Sequence, residues 1–286
     1  CLDVSFFEKT LGIIFSRFRT ADGIEISTEC NPGTVDSDYL RDLRKSGVNR
    51  LSIGVQSTDT HELKMLGRFH SFEDAKNTVL RAKNAGFDNI SADLMYGIPD
   101  QTVNSFEKSV RGVCGLGIKH LSAYSLKLEE GTPLFRRRDQ LVFPDDDEQY
   151  DMYRMLERVL AEYAIKRYEI SNFSAYGYES RHNIKYWKRG DYLGVGPAAH
   201  SFGDSRRFFN SSDIEKYFCG DICEGMEEIS PHEAAQEHVM LGMRLEAGVD
   251  SEEFDKEFPE YGGFEATFGK ALQKYVEHGL VLRAQS

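Results

Sequence analysis

The chain has 286 residues, 40% of them hydrophobic, and a formal charge of −12, enough to bury a sizeable core as one large domain or a large one with a small companion. No run of about 18 apolar residues occurs, and the opening CLDVSFFEKTLGIIFSRF is broken by charges, so neither a membrane span nor a secretory signal is read and the expected compartment is the cytoplasm. The acidic balance argues against a nucleic-acid or anionic-membrane partner, because phosphate binding needs a concentrated basic surface.

IEISTE, at residues 24 to 29, reads as a first strand. DSDYLRDLRKS (36 to 46) carries Leu40 and Leu43 at helical spacing and stops at Gly47, after which NRLSIGVQS reads as a second strand. The cycle repeats. Phe72, Ala75, Val79 and Ala82 mark a helical face ending at Gly86, followed by the strand and turn DNISADLMYGIP; a helix from Thr102 to Leu116 then leads into KHLSAYSL. This alternation predicts an α/β fold with parallel strands and right-handed crossovers, either a barrel or an open sheet.

From Pro144 the pattern changes. PDDDEQYDMYRMLERVLAEYA is an amphipathic helix with Asp145 and Glu148 spaced as a capping box, and RYEISNF reads as a short strand. Residues 174 to 203, rich in Gly, Tyr and His, are expected to form functional loops. After a polar stretch near 204 to 230, two helices (HEAAQEHVMLGMRL and FEATFGKALQKYVEHG) and a closing LVLR strand suggest a small winged-helix-like appendage. Arg136 to Arg138, beside the acidic run Asp145 to Glu148, reads as a solvated loop. Five cysteines at irregular spacing make no disulfide framework, and the C-x3-C of Cys219 and Cys223 lacks further ligands at metal spacing.

Ligands of parallel α/β folds bind at the carboxyl ends of the strands. The predicted strand ends carry Glu29, Gln56, Asp93, and Ser125 with Lys127. Each alone is explained as a capping or turn residue; together they point to a polar ligand. Glu29 and Asp93 suit ribose hydroxyls or an ammonium group as acceptors, Gln56 suits either role, and Arg68 in MLGRFH has the fork geometry for a carboxylate.

TECNPG, NRLSIGVQS, LGRFH, DLMYGIPDQT, LSAYSLKLEEGTPL, YEISNF, RHNIKYW and DYLGVGPAAHS, in this order and spacing, resemble the motifs of HemW-type haem chaperones. These are radical S-adenosylmethionine (SAM) proteins of the oxygen-independent coproporphyrinogen III oxidase-like group. The resemblance covers nearly the whole chain. It implies a partial (βα) radical SAM barrel of TIM-like type over residues 1 to 210, followed by a C-terminal helical domain over 211 to 286. It places Glu29, Gln56, Arg68 and Asp93 on SAM-contacting positions, with Cys30 standing where the group more often has alanine. The group's C-x3-C-x2-C motif, which holds a [4Fe-4S] cluster, and its GGTP stretch have no counterpart in this sequence. Residues 1 to 19 are similar to the helix after that stretch, so the cluster cysteines, with roughly two strands and one helix of the barrel, are expected upstream of Cys1. This chain alone is then expected to be inactive in radical chemistry, its activity class being left open, and its IEISTE edge to be prone to association.

The later motifs separate two functions within the group. Arg181-His182-Asn183 with Tyr186-Trp187, then Gly194-x-Gly196 and Ala199-His200-Ser201, resemble the chaperone type. That implies binding of haem and its delivery to client haemoproteins, with SAM and a [4Fe-4S] cluster in the intact protein, membrane contact only through a client, and a homodimer left open. The alternatives are an oxidase decarboxylating porphyrinogen propionates, and a clusterless binding paralogue. His182 and His200 are candidate haem or porphyrin contacts, with Trp187, Tyr186 and Phe202 as flat apolar surface. The plainer reading makes each histidine a hydrogen-bonded structural residue, and the glycine pair a place where a strand passes close to its neighbour.

Overall fold

The computed structural model describes residues 2–284, so Cys1 lies outside the described residues. Contacts group the chain into two compact units, Cys1–Glu179 and Ser180–Ser286. No helix is long and apolar enough to cross a membrane among the described residues.

The first unit alternates helix and strand as its sequence periods require: α1 (Val4–Arg17), β1 (Ser27–Cys30), α2 (Ser37–Lys45), β2 (Arg50–Gln56), α3 (Thr60–Met65), α4 (Phe72–Asn84), β3 (Asn89–Tyr96), α5 (Val103–Cys114), β4 (His120–Ser125), α6 (Pro133–Arg136), α7 (Asp146–Glu162), β5 (Lys166–Arg167) and β6 (Asn172–Ser174). Side chains set the helix starts. Asp36 caps α2, and reciprocal boxes open α4 (Ser71 with Asp74), α5 (Thr102 with Ser105) and α7 (Asp145 with Glu148), each satisfying backbone N–H groups that have no partner in the first turn. Gly86, at φ +91°, lets the chain leave α4 while Phe87 N–H returns to the Ala82 carbonyl at 3.0 Å.

The six strands form one sheet in the order β1-β2-β3-β4-β6-β5. β1 to β4 are parallel, as expected, with β1 at an edge. RYEISNF does not form one strand. It turns at Glu169 to Ser171, so that β5 and β6 pair antiparallel and β6 runs antiparallel to β4. The direct hairpin leaves no room for a crossover helix, and strand direction must reverse.

Alternation along the strands makes two unlike faces. Leu51, Ile53, Val55, Ile90, Ala92, Leu94, Leu121 and Phe173 are fully buried and belong to one core with Leu40, Val79, Phe106, Val110, Leu156 and Val159 of the helices. The opposite face carries Glu29, Arg50, Ser52, Ser91, Asp93, His120, Ser122, Asn172 and Ser174, placed by the register. A slip of one residue would exchange these faces, so the apolar set fixes where the polar set stands.

The second unit contains α8 (Arg181–Trp187), β7 (His200–Gly203), β8 (Arg206–Asn210), α9 (Ile214–Phe218), β9 (Cys223–Glu228), α10 (Pro231–Gly242), α11 (Ser251–Glu257) and α12 (Phe264–Glu277). β7, β8 and β9 form an antiparallel sheet that joins residues on both sides of position 210. The expected helices at the end of the chain are present, and Phe254, Phe258, Phe264, Ala235 and Ile229 form their core. Two readings of this unit are corrected. The loop stretch contains α8, capped by Ser180, which is too short to show helical periodicity. LVLR forms no strand: Leu280 N–H bonds back to the Tyr275 carbonyl at 2.9 Å, and Leu280 and Leu282 are exposed.

Candidate functional site

Strand register sets polar side chains in rows across the sheet of the first unit. Glu29, Ser52, Ser91, His120 and Ser174 lie side by side, and Asp93, Ser122 and Asn172 form the next row toward the strand ends. Ser52 Oγ donates to both carboxylate oxygens of Asp93, at 2.9 and 3.0 Å, and Ser91 Oγ lies 3.4 Å from Oδ1. Burial pushes the Asp93 pKa up, the hydroxyls of Ser122 and Ser52 pull it down, and the nearby Glu29 carboxylate pushes it up again, leaving it raised. Glu29 is exposed on the edge strand, and its side chain enters no hydrogen bond or ion pair among the described residues. Two carboxylates so placed favour a ligand bringing donors or positive charge.

Gln56 ends β2 at a break in register, with φ at +66°. A left-handed conformation costs a non-glycine residue about 1–2 kcal/mol, and such strain tends to gather where a side chain must be aimed. Its amide nitrogen crowds the α-carbon of Gly54, where an added Cβ would sit 2.9 Å away. Arg68 follows the αL turn of Gly67, its backbone N–H closing α3 on the Leu63 carbonyl at 2.9 Å. Its guanidinium joins no ion pair among the described residues. Glu29 and Asp93 interact electrostatically; no hydrogen bond or ion pair ties Gln56 or Arg68 to either of them. Ser125 instead bonds Gln149 at 2.8 Å, and Lys127 pairs with Glu129 at 3.5 Å.

Two networks escaped the sequence reading. His120, 1% exposed, holds Ser91 Oγ at 2.7 Å through Nδ1 and Tyr168 OH at 2.8 Å through Nε2. Burial, with a smaller contribution from the Arg50 cation, keeps its pKa well below the ordinary imidazole value. Ser91 has one proton; if it goes to Asp93, a neutral His120 donates from Nδ1 to Ser91 and accepts from Tyr168 at Nε2. The second network centres on buried Glu62, which accepts from Ser57 Oγ at 2.5 Å, Ser105 Oγ at 2.7 Å and Gln101 Nε2 at 3.0 Å. It ties the turn after β2, and thereby α3 and Arg68, to the start of α5. The signal for His120 was present, a polar residue alternating with apolar ones at the start of a strand; Glu62 looked like any first-turn acid.

Asn172 supplies a third observation. Its amide donates to the fully buried Glu169 carboxylate, while its Oδ1 is buried without a partner. An unsatisfied buried acceptor costs about 1–3 kcal/mol, which a ligand hydroxyl or amine over this row would relieve. The residues present therefore fit a polyhydroxylated, cationic ligand such as SAM. They do not fit an iron-sulfur cluster: no group of three His, Cys, Asp or Glu is placed to hold a metal among the described residues. Burial raises the thiol of Cys30 to about 11 and that of Cys114 to about 12, so neither is a thiolate near neutral pH.

In the second unit His182 stands on α8, edge-on to Tyr186 at 4.7 Å; Tyr186 meets Tyr192 at 4.6 Å, and Tyr192 meets Phe202 at 6.4 Å. His200 is exposed on β7 and stacks on Phe209 at 5.2 Å. It shares a strand face with Phe202. Gly194 has a packing reason: a Cβ there would lie 2.2 Å from the His200 carbonyl oxygen.

Comparison with known proteins matches these features to families. Residues 5–112 match the model of the Radical SAM superfamily, and residues 229–285 that of the HemN C-terminal domain. Coproporphyrinogen III oxidase (HemN) from Escherichia coli, a radical SAM enzyme, has the same fold at TM-score 0.83 and 20% identity, over 99% of this chain and 70% of that one. The protein is thus of the radical SAM class, whose members use SAM and a [4Fe-4S] cluster. The heme chaperone HemW of Bacillus subtilis is 32% identical over 274 residues, 93% of this chain and 72% of its own length. HemW of Lactococcus lactis is 34% identical, over 90% of this chain and 69% of its length, and that of Escherichia coli 35%, over 84% and 64%. Within that class the chain belongs to the HemW heme chaperone family.

Proposed function

We propose that this chain is the SAM-binding sheet and C-terminal part of a haem-binding protein that passes haem to client haemoproteins. The observation that carries the haem reading is the ladder from His182 through Tyr186 and Tyr192 to Phe202, which offers an imidazole beside flat aromatic surface. His200 is the second candidate contact. For SAM, Glu29 and Asp93 would accept from ribose hydroxyls or the ammonium group, Gln56 would orient a polar edge, and the free fork of Arg68 would take the carboxylate. Glu62 would hold the turn that presents Arg68. A [4Fe-4S] cluster, when bound, supplies one-electron reduction of the SAM sulfonium; we place its cysteines upstream of Cys1 and assign the described residues no step of that transfer.

The test is iron and sulfide content with a visible spectrum, taken anaerobically on this chain and on one extended to an upstream methionine, followed by haem titration. A longer chain that is brown and SAM-responsive, with a haem Soret band displaced in His182→Ala, supports the reading. A longer chain without cluster excludes radical chemistry, porphyrinogen decarboxylation by it favours the oxidase, and absence of any Soret shift removes haem from the function.

A further inference from the structure

The end of α3 and the segment from β4 through α6 enclose a cavity of about 390 Å³, within the ~300–1,000 Å³ range of small-molecule sites. Met65, Leu66, Leu126 and Leu134 give it apolar walls, and Lys64, Lys127 and Arg137 also line it. Its one carboxylate, Glu129, lies 3.5 Å from Lys127. Lys64 and Arg137 join no ion pair among the described residues. A chain of net charge −12 thus gathers three cations against one acid around an apolar pocket, and Arg137 belongs to the basic run that the sequence alone suggested was a solvated loop.

Apolar walls with unneutralised cations select an amphipathic anion: a hydrophobic body fills the pocket while acidic groups reach the cations. A phosphate would leave the walls unused, and a fatty acid offers one carboxylate to three cations. A porphyrin carries two propionates on one edge of an apolar ring. We propose that this cavity receives the propionate-bearing edge of a porphyrin, with Lys64, Lys127 and Arg137 as its carboxylate partners. The choice of occupant rests on the haem reading above; the site itself needs no iron, and neither His182 nor His200 lines it.

An iron-free dicarboxylic porphyrin and its dimethyl ester, each titrated into the full chain by fluorescence anisotropy, test this directly. The diacid is expected to bind about tenfold more tightly than the ester, ~1.4 kcal/mol, and the double variant K64E/R137E to lose that advantage while ester binding is unchanged. Both positions are exposed, so folding is not at stake, and the ester comparison needs no variant. Equal binding of diacid and ester, or a double variant that still prefers the diacid, overturns the proposal. If haem shifts its Soret band on the wild-type chain while the two porphyrins bind alike, only the cavity assignment falls. If neither haem nor porphyrin binds, the haem reading falls with it.

Discussion

Replacing His120 by Gln should flatten the acid side of the stability profile. The native imidazole is 1% exposed, bonded at both nitrogens, and held well below the ordinary histidine value of 6.5. Protons therefore bind the unfolded chain first as pH falls through about 6.5, and the native state loses stability there. The slope approaches ~1.4 kcal/mol per pH unit once the unfolded imidazole is largely protonated, so the group removes about 1.4 kcal/mol between pH 7.5 and 5.5. The groups facing it are Arg50, Ser91, Tyr168 and, through Ser91, Asp93. Asp93 has the opposite sign. Its raised pKa means the native state holds that proton more firmly, a contribution present at low pH and lost as pH rises through the folded value. Comparing wild type with His120→Gln leaves the Asp93 part in both, since its burial and its leading hydroxyl partners Ser122 and Ser52 are untouched by the substitution. Urea unfolding midpoints at the two pH values measure the difference: the variant is expected to lie below wild type at pH 7.5 and to close about 1.4 kcal/mol of that gap at pH 5.5. Parallel profiles would refute the burial and bonding described for His120.

Asp93→Asn keeps an acceptor for the Ser52 hydroxyl but removes the charge, so SAM affinity by calorimetry on the cluster-bearing protein should fall about tenfold or more with the fold intact. Phe254→Ala, at a ring fully buried among Phe258, Phe264 and Phe268 at 5.0–5.5 Å, should cost the second unit about 3–5 kcal/mol in chemical unfolding. Gly194→Ala drives a methyl to 2.2 Å from the His200 carbonyl. It should change the near-ultraviolet circular dichroism of the tyrosines beside β7 and lower the melting temperature; a silent substitution would refute the close approach.

The parts legible in the sequence were those with a strong period or a strong stop. β2, β3 and β4 alternate apolar and polar residues around glycine-stopped, side-chain-capped helices, so Gln56 could be read as the end of β2 from the chain alone, whereas Asp93, read as a strand end, stands inside β3, which runs on to Tyr96, and Glu29 stands one residue before the end of β1. β8 and β9 could not. RRFFN and CEGMEE have little buried apolar surface, and Arg206–Glu228 and Arg207–Glu227 cross-strand pairs accompany their pairing. A charge pair is specified by its partner strand, not by its own periodicity, so it leaves no trace in a single segment. α11 is hidden for a similar reason, having Phe254 as its one buried residue.

The polar face illustrates the same limit at the site. Ser91, His120 and Tyr168 carry no signal one at a time; only the fold, which sets His120 beside Ser91 by register and brings Tyr168, just after β5, to His120, makes them a chain leading to Asp93. The sequence reading chose this acid as a strand end, where ligands of parallel sheets bind, but β3 continues three residues past it to Tyr96. What tunes that acid is burial first, then the hydroxyls of Ser122 and Ser52, the Glu29 carboxylate and the Ser91 hydroxyl, contributed by β1, β2, β3 and β4. The tuning is costly to abandon, because removing any one member leaves a buried polar partner unpaired at about 1–3 kcal/mol. A network of that kind holds the carboxyl in one orientation before a ligand arrives, and so lowers the ordering cost of binding at the same residues that sequence alone can find.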